Sequence, residues 1–142
     1  MFDTSHIHPM LVHFPIALTL LGVLLEALNI FRPRFFKYPC GEILLYFATL
    51  SAIIAAIAGG LFTPDFTKQE LIQAKNIHST FAGITVTLLC LASVFYVSRY
   101  IFRKENEVIR KIGFGFYILA ALSVAVTGFL GGVIVYNDLL KI

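Results

Sequence analysis

The sequence predicts an all-α integral membrane protein, built as a four-transmembrane-helix bundle whose spans run up, down, up and down. Of its 142 residues 58% are hydrophobic and only 13% are charged, with a mean hydropathy of +0.86, which is more apolar than a soluble domain can bury. Four apolar runs are also long enough to cross a hydrocarbon core, which takes roughly 20 helical residues. They cover about residues 10–31, 43–62, 77–102 and 113–136. The connections are short, so residues 1–142 form a single transmembrane domain.

The placement of the basic residues predicts the orientation of this bundle. Most of the eleven lie in or beside two connections, the first between spans one and two and the second between spans three and four. These residues are Arg32, Arg34, Lys37, Arg99, Arg103, Lys104, Arg110 and Lys111. The positive-inside rule then places both termini outside the cytoplasm, in a bacterial inner membrane. Lipid is the predicted environment, and nothing in the sequence indicates a nucleic-acid partner.

Span one opens with a dense group of histidines and prolines, HIHPMLVHFP. The span begins at about Pro9, which is tolerated in a first helical turn, and His8 is expected just before the helix in extended geometry. Pro15 falls inside the helix, removes the bond to the carbonyl of Leu11 and predicts a kink. His13 would lie on that distorted turn.

Glu26 is the one acid in span one. An ionisable group inside a membrane helix is by default a functional candidate. Glu26 is close enough to the cytoplasmic end to pair with Arg99 or another loop base, however, and we expect a structural ion pair.

Spans two and four carry small residues at four-residue spacing, which lets helix backbones approach closely in lipid. The stripes are Ala48, Ala52, Ala56 and Gly60 in span two, and Ala121, Ala125, Gly128 and Gly132 in span four. The pairs Gly59-Gly60 and Gly131-Gly132 end their spans at the level of the histidines. At that level they would leave space for a flat ligand.

Span three is expected to begin before its apolar run. Thr67 to Glu70 has the form of a capping box, so a helix should start there and continue through His78. A shift of 70 residues also lays Ile7-His8 over Ile77-His78. This weak repeat would describe two parallel helical hairpins related by an axis along the membrane normal.

The histidines of spans one and three should meet, because these spans are parallel and lie diagonally across an up-down bundle. Three interpretations stay open. In the first, His8, His13 and His78 are interfacial residues without a ligand. In the second, His13 and His78 hold a b-type haem beside the glycines, with His8 as the alternative partner. In the third, all three histidines bind zinc or copper, and His6 or Asp3 completes the site. The sequence has no CxxCH motif for covalent haem attachment.

The haem interpretation predicts an electron carrier or redox-complex subunit more readily than a self-sufficient enzyme. One haem near the outer face cannot carry charge across the membrane unaided. A periplasmic cytochrome c, another redox subunit or a quinol would be needed, within a larger complex or homo-oligomer. The alternative function is a non-catalytic structural or assembly subunit. Hydrolysis is disfavoured because no acid stands beside the histidines as a general base.

Three motifs resemble those of the "domain of unknown function 2231" family of small bacterial four-span membrane proteins. They are HPMLVHFPIAL at residues 8–18, His78 followed by Gly83, and GGVIVY at residues 131–136. The resemblance implies these signature positions: His8, Pro9, His13, Pro15, His78, Gly131, Gly132 and Tyr136. Members are similar to modules found fused or adjacent to cytochrome c or other redox domains, which favours the haem interpretation, although the family name itself implies no activity.

Overall fold

The computed structural model describes residues 7–32, 37–62, 68–102 and 106–139, and all regular structure in these ranges is helical. The helices are α1 (Ile7–Leu11), α2 (His13–Phe31), α3 (Cys40–Phe62), α4 (Gln69–Ile101) and α5 (Glu107–Leu139). Helices α1 and α2 together make the first span, and each of the other three helices makes one span.

Within the described ranges, four segments are long and apolar enough to cross a membrane, with mean hydropathies between 2.0 and 2.4. The predicted fold class and the multi-pass membrane location are therefore confirmed. Large apolar side chains face outward, as a lipid environment allows. Examples that are more than half exposed are Phe14, Phe47, Leu61, Val94 and Leu122.

The spans pack as two helical hairpins. Helix α2 packs on α3 and α4 packs on α5, while α3 also contacts α4 and α2 contacts α5. Each helix thus has two main neighbours, which places α2 diagonally across the bundle from α4, as predicted for parallel spans. The short α1 contacts α3 as well as α2, so residues of α1 lie against the C-terminal part of α3.

Helices α1 and α2 meet at Val12, which keeps helical dihedral angles and whose N–H donates to the His8 carbonyl at 3.2 Å, so the first span runs on through this residue. Pro15 is buried one turn further on, and it cannot donate the hydrogen bond that the Leu11 carbonyl would accept. The expectation that His8 precedes the helix in extended geometry is wrong, because His8 lies inside α1. Pro9 stands in the first turn of α1, where its missing N–H needs no intrahelical partner. The helix can therefore begin before Pro9 and include His8.

Helix α4 starts close to the predicted position. It begins at Gln69 with Lys68 as its N-cap residue and without a side-chain capping bond. Thr67, the expected cap, lies outside the described residues. The first turns up to Asn76 are largely exposed, with Leu71 as their one buried residue, so this stretch extends beyond the packed part of the bundle.

The two hairpins bury corresponding positions. The buried residues of α2 are Pro15, Thr19, Gly22 and Glu26. Positions 70 residues later are the buried residues Thr85, Leu89, Ala92 and Tyr96 of α4. In the second helix of each hairpin the spacing is 72, from Gly41, Leu45, Ala48 and Ala52 to Gly113, Tyr117, Ala120 and Val124. The burial pattern therefore supports the internal repeat, with two extra residues in the second hairpin's connection.

The small-residue stripe of span two is buried over only part of its length. Ala48 and Ala52 are buried, whereas Ala56 and Gly60 face outward, and Ala55 and Ala58 are buried in their place. A four-residue step advances about 40° around a helix. A strict four-residue stripe therefore drifts off the packed face within three steps.

Candidate functional site

The structure brings together one histidine from each hairpin. The rings of His8, from α1, and His78, from α4, have centroids 6.3 Å apart and planes at 85° to each other. Both side chains are partly buried. We call these two residues the histidine pair, and the end of the bundle that contains them the histidine end.

Each ring of the histidine pair is fixed by a helix carbonyl from its own hairpin. Nδ1 of His8 lies 3.1 Å from the carbonyl oxygen of Ala55, and Nδ1 of His78 lies 3.0 Å from that of Thr127. A carbonyl oxygen can only accept a hydrogen bond, so Nδ1 carries the proton in both rings. In a neutral imidazole this leaves the lone pair on Nε2, the nitrogen available to a ligand.

Two glycines make room for these rings. A β-carbon at Gly59 would stand 2.9 Å from Cε1 of His8, and one at Gly131 would stand 3.2 Å from Cε1 of His78. Gly59 and Gly131 each lie four residues after the carbonyl that fixes the ring. Carbonyl and glycine therefore form the same cradle in both hairpins, and the space that these two glycines provide is filled by the imidazoles.

The neighbouring glycines have a different environment. A β-carbon at Gly60 or Gly132 would lie in open space, with no described atom within 4 Å other than the neighbouring backbone of its own helix. Gly132 lines an open groove of about 330 Å³ together with Gly128, Phe129, Val133 and Tyr136. Tyr136, a signature position of the resemblance, is 66% exposed, so it lies on the outside of the bundle.

His13 does not join the histidine pair in this structure. It is exposed, and its Nδ1 lies 2.8 Å from the carbonyl oxygen of Pro9 in the preceding turn. His6 and Asp3, the residues considered for a third or fourth metal ligand, lie outside the described residues. In the described part of the chain no three His, Cys, Asp or Glu side chains come together as a metal-binding group.

Hydroxyl groups beside His78 tie α4 to α5. Oγ1 of Thr85 is 2.8 Å from Oγ of Ser123 and 3.4 Å from Oγ1 of Thr127. Ser123 also donates to the carbonyl of Phe81 at 3.2 Å. These bonds satisfy the polar groups next to the histidine cradle, so the Thr127 carbonyl is held in a rigid part of the hairpin.

The opposite end of the bundle contains two buried carboxylates, and we call it the carboxylate end. Glu26 is fully buried. Its Oε1 accepts bonds from Arg110 Nε at 3.0 Å, from Arg110 Nη2 at 2.9 Å and from the Tyr96 hydroxyl at 3.0 Å. The expected ion pair of Glu26 is thus present, with Arg110 as the base.

Arg99, the base named first for Glu26, is engaged by a second acid. Its Nη1 donates to Oε1 of Glu42 at 2.8 Å, and the Tyr100 hydroxyl donates to Oε2 of the same residue at 2.8 Å. Glu42 is 4% exposed. Glu42 stands one position before the second apolar run, so its burial could not be predicted from the span boundaries.

The chain matches the sequence profile of a family described as "Predicted membrane protein (DUF2231)" over residues 4–142. It therefore belongs to this family, as the motifs indicated. No curated protein matches the chain, and no solved structure does.

Proposed function

We propose that this chain, as a member of a family of membrane proteins, is a b-type haem electron-transfer protein or redox-complex subunit with His8 and His78 as axial ligands. The observation that carries the proposal is the histidine pair itself, with both Nδ1 atoms bonded to carbonyls. Histidines that bind metals commonly donate their second ring N–H to a carbonyl or carboxylate, which fixes the tautomer and ring orientation.

The separation of the two rings fits a metal ion between them, and it also falls in the range of a direct edge-to-face ring contact. An ion bound by two imidazole nitrogens at about 2 Å each would hold the ring centroids roughly 6 Å apart. The observed separation is 6.3 Å. His78 is retained from the sequence analysis, while the structure favours His8 over His13 as its partner.

The number of donors favours haem over a bare metal ion. Zinc sites in proteins use three or four protein ligands, whereas the described residues bring only two imidazoles together here. A haem iron takes four nitrogens from the porphyrin and needs only axial ligands from the protein. Two imidazoles therefore provide all the protein ligands that a haem iron needs, whereas a zinc site would need further ligands, for which His6 and Asp3 were considered.

Two histidine ligands favour electron transfer over catalysis at the iron. His8 and His78 would hold the iron of a bound haem, and the haem would supply one-electron redox chemistry there. The electron would come from, or pass to, a quinol, a periplasmic cytochrome c or another redox subunit. His8 and His78 would supply the bonds, and their carbonyl partners would limit ring movement between the two oxidation states.

A structural or assembly role is the second candidate function. The bonds from His8 to Ala55 and from His78 to Thr127 join helices without any cofactor. These bonds and the glycine cradles would join the helices within each hairpin, and the contact between the two rings would join one hairpin to the other.

The bundle would lie in a bacterial inner membrane with its histidine end at the periplasmic side. Described basic residues support this orientation, since Arg32, Lys37, Arg99, Arg110 and Lys111 lie towards the carboxylate end. A reporter fused to the C-terminus should be active in the periplasm. Activity confined to the cytoplasm would reverse the orientation.

The absorption spectrum of the purified protein tests the haem proposal. Protein expressed with ample haem and purified in mild detergent should give a low-spin b-type spectrum that sharpens on reduction with dithionite. A colourless protein under these conditions would refute the proposal and favour the structural role. Metal analysis of the same sample would then show whether zinc or copper is bound.

A further inference from the structure

Three polar atoms on the buried face of α2 have no hydrogen-bond partner among the described residues. They are Oγ1 of Thr19, Oε2 of Glu26 and the hydroxyl of Tyr117, which reaches in from α5. All three residues are fully buried, with 0% exposure. A buried polar atom without a partner is costly, so each atom needs an explanation.

These atoms lie along one line in the bundle interior, between its middle and the carboxylate end. Thr19, Gly22 and Glu26 lie on the same face of α2, at intervals of three and four residues. The Tyr117 hydroxyl contacts Gly22, in the space that a β-carbon would occupy. It therefore lies between Thr19 and Glu26, which are about 10 Å apart along the helix.

The charges around this line define what could bind there. Arg110 and Tyr96 both donate to Oε1 of Glu26, which leaves Oε2 as an acceptor without a donor among the described residues. Because Arg110 already balances the carboxylate charge, a cation is not required. The missing partner must donate to a carboxylate oxygen and also bond with two hydroxyl groups, and a neutral molecule that both donates and accepts does this.

We infer that a chain of internal water molecules lies along α2 between Thr19 and Glu26. The waters bond to Oε2 of Glu26, to the Tyr117 hydroxyl and to Oγ1 of Thr19. Two further buried polar atoms without partners among the described residues, Tyr46 Oη and Arg99 Nε, belong to the helices that carry the second ion pair.

Solid-state NMR of the protein as purified, in lipid bilayers, tests this inference without any substitution. Magnetisation transferred from water should reach the side chains of Thr19 and Tyr117. The hydroxyls of Thr85 and Ser123 belong to residues that are also buried, at 4% and 7% exposure, but they bond to each other, so they serve as the dry control. Transfer to Thr19 and Tyr117 no greater than to this control would overturn the inference, whether or not haem is bound.

Two conservative variants give a second readout. If water bonds to these hydroxyls, Tyr117→Phe and Thr19→Val should each lower the thermal unfolding midpoint in detergent, and each should reduce water transfer to the remaining partner. Tyr38→Phe, at an exposed position, should leave both quantities unchanged. Unchanged or higher unfolding midpoints in Tyr117→Phe and Thr19→Val would show that the hydroxyls are unpaired and dry.

Discussion

Replacing Arg110 with alanine is expected to cost about 3–5 kcal/mol of stability, because it leaves the fully buried Glu26 carboxylate without its counter-ion. The guanidinium donates twice to Oε1 of Glu26, and of the other described groups only the Tyr96 hydroxyl bonds to that oxygen. Unfolding of the detergent-solubilised protein by heat or denaturant measures the loss.

The neighbouring base provides the matched control for this prediction. Lys111 is exposed, so Lys111→Ala should change the free energy of unfolding by no more than about 0.5 kcal/mol. Adding Glu26→Gln to Arg110→Ala should recover part of the lost stability, since the double variant buries no unpaired charge. Equal effects of Arg110→Ala and Lys111→Ala would show that the ion pair does not support the fold.

The second large effect is expected at the histidine pair. His78→Ala and His8→Ala should each abolish the low-spin haem spectrum, because each variant removes one of two axial ligands. His13→Ala is the control and should keep the spectrum, since His13 is exposed and bonds to Pro9. If His13→Ala loses the spectrum and His8→Ala keeps it, then His13 is the ligand from the first span.

The architecture could be predicted from the sequence because its signals are local. Apolar run lengths set the four spans, and short connections set the antiparallel neighbours. The repeat was only a faint signal in the sequence, since matched leucines are common in such a composition. The burial pattern makes the repeat visible. Thr19 and Leu89 are buried at corresponding positions although their residue types differ, and so are the two glycines Gly41 and Gly113.

The site was less predictable because it depends on contacts between helices. The approximate depth of His8, His13 and His78 followed from the span boundaries, but the direction of each side chain did not. Five residues turn about 140° around a helix, which agrees with a partly buried His8 and an exposed His13, but the period alone did not show which of the two faces the bundle. The glycines at 59 and 131 were placed at the correct level, although an imidazole occupies the space beside each of them.

The carboxylate end shows a similar limit. The sequence indicated that Glu26 would find a basic partner, yet several bases lie near that end, and only the packing of α2 against α5 selects Arg110. Nothing in the spacing of Tyr117 indicates that its hydroxyl reaches Gly22 on another helix. Such contacts require the crossing of specific helices, which periodicity alone does not give.

Low-temperature electron paramagnetic resonance of the oxidised protein tests the haem proposal most directly, because one spectrum reports both axial ligands and their relative orientation. The two imidazole planes lie at 85°; if the rings kept this angle when they bound a haem iron, their π systems would act on different iron d orbitals and would leave those orbitals close in energy. We therefore predict a low-spin ferric signal of strong anisotropy, with one large g value. No low-spin ferric signal at all would contradict the proposed ligation by His8 and His78, and a rhombic low-spin signal, typical of parallel imidazoles, would contradict the ring angle of 85° in the bound state.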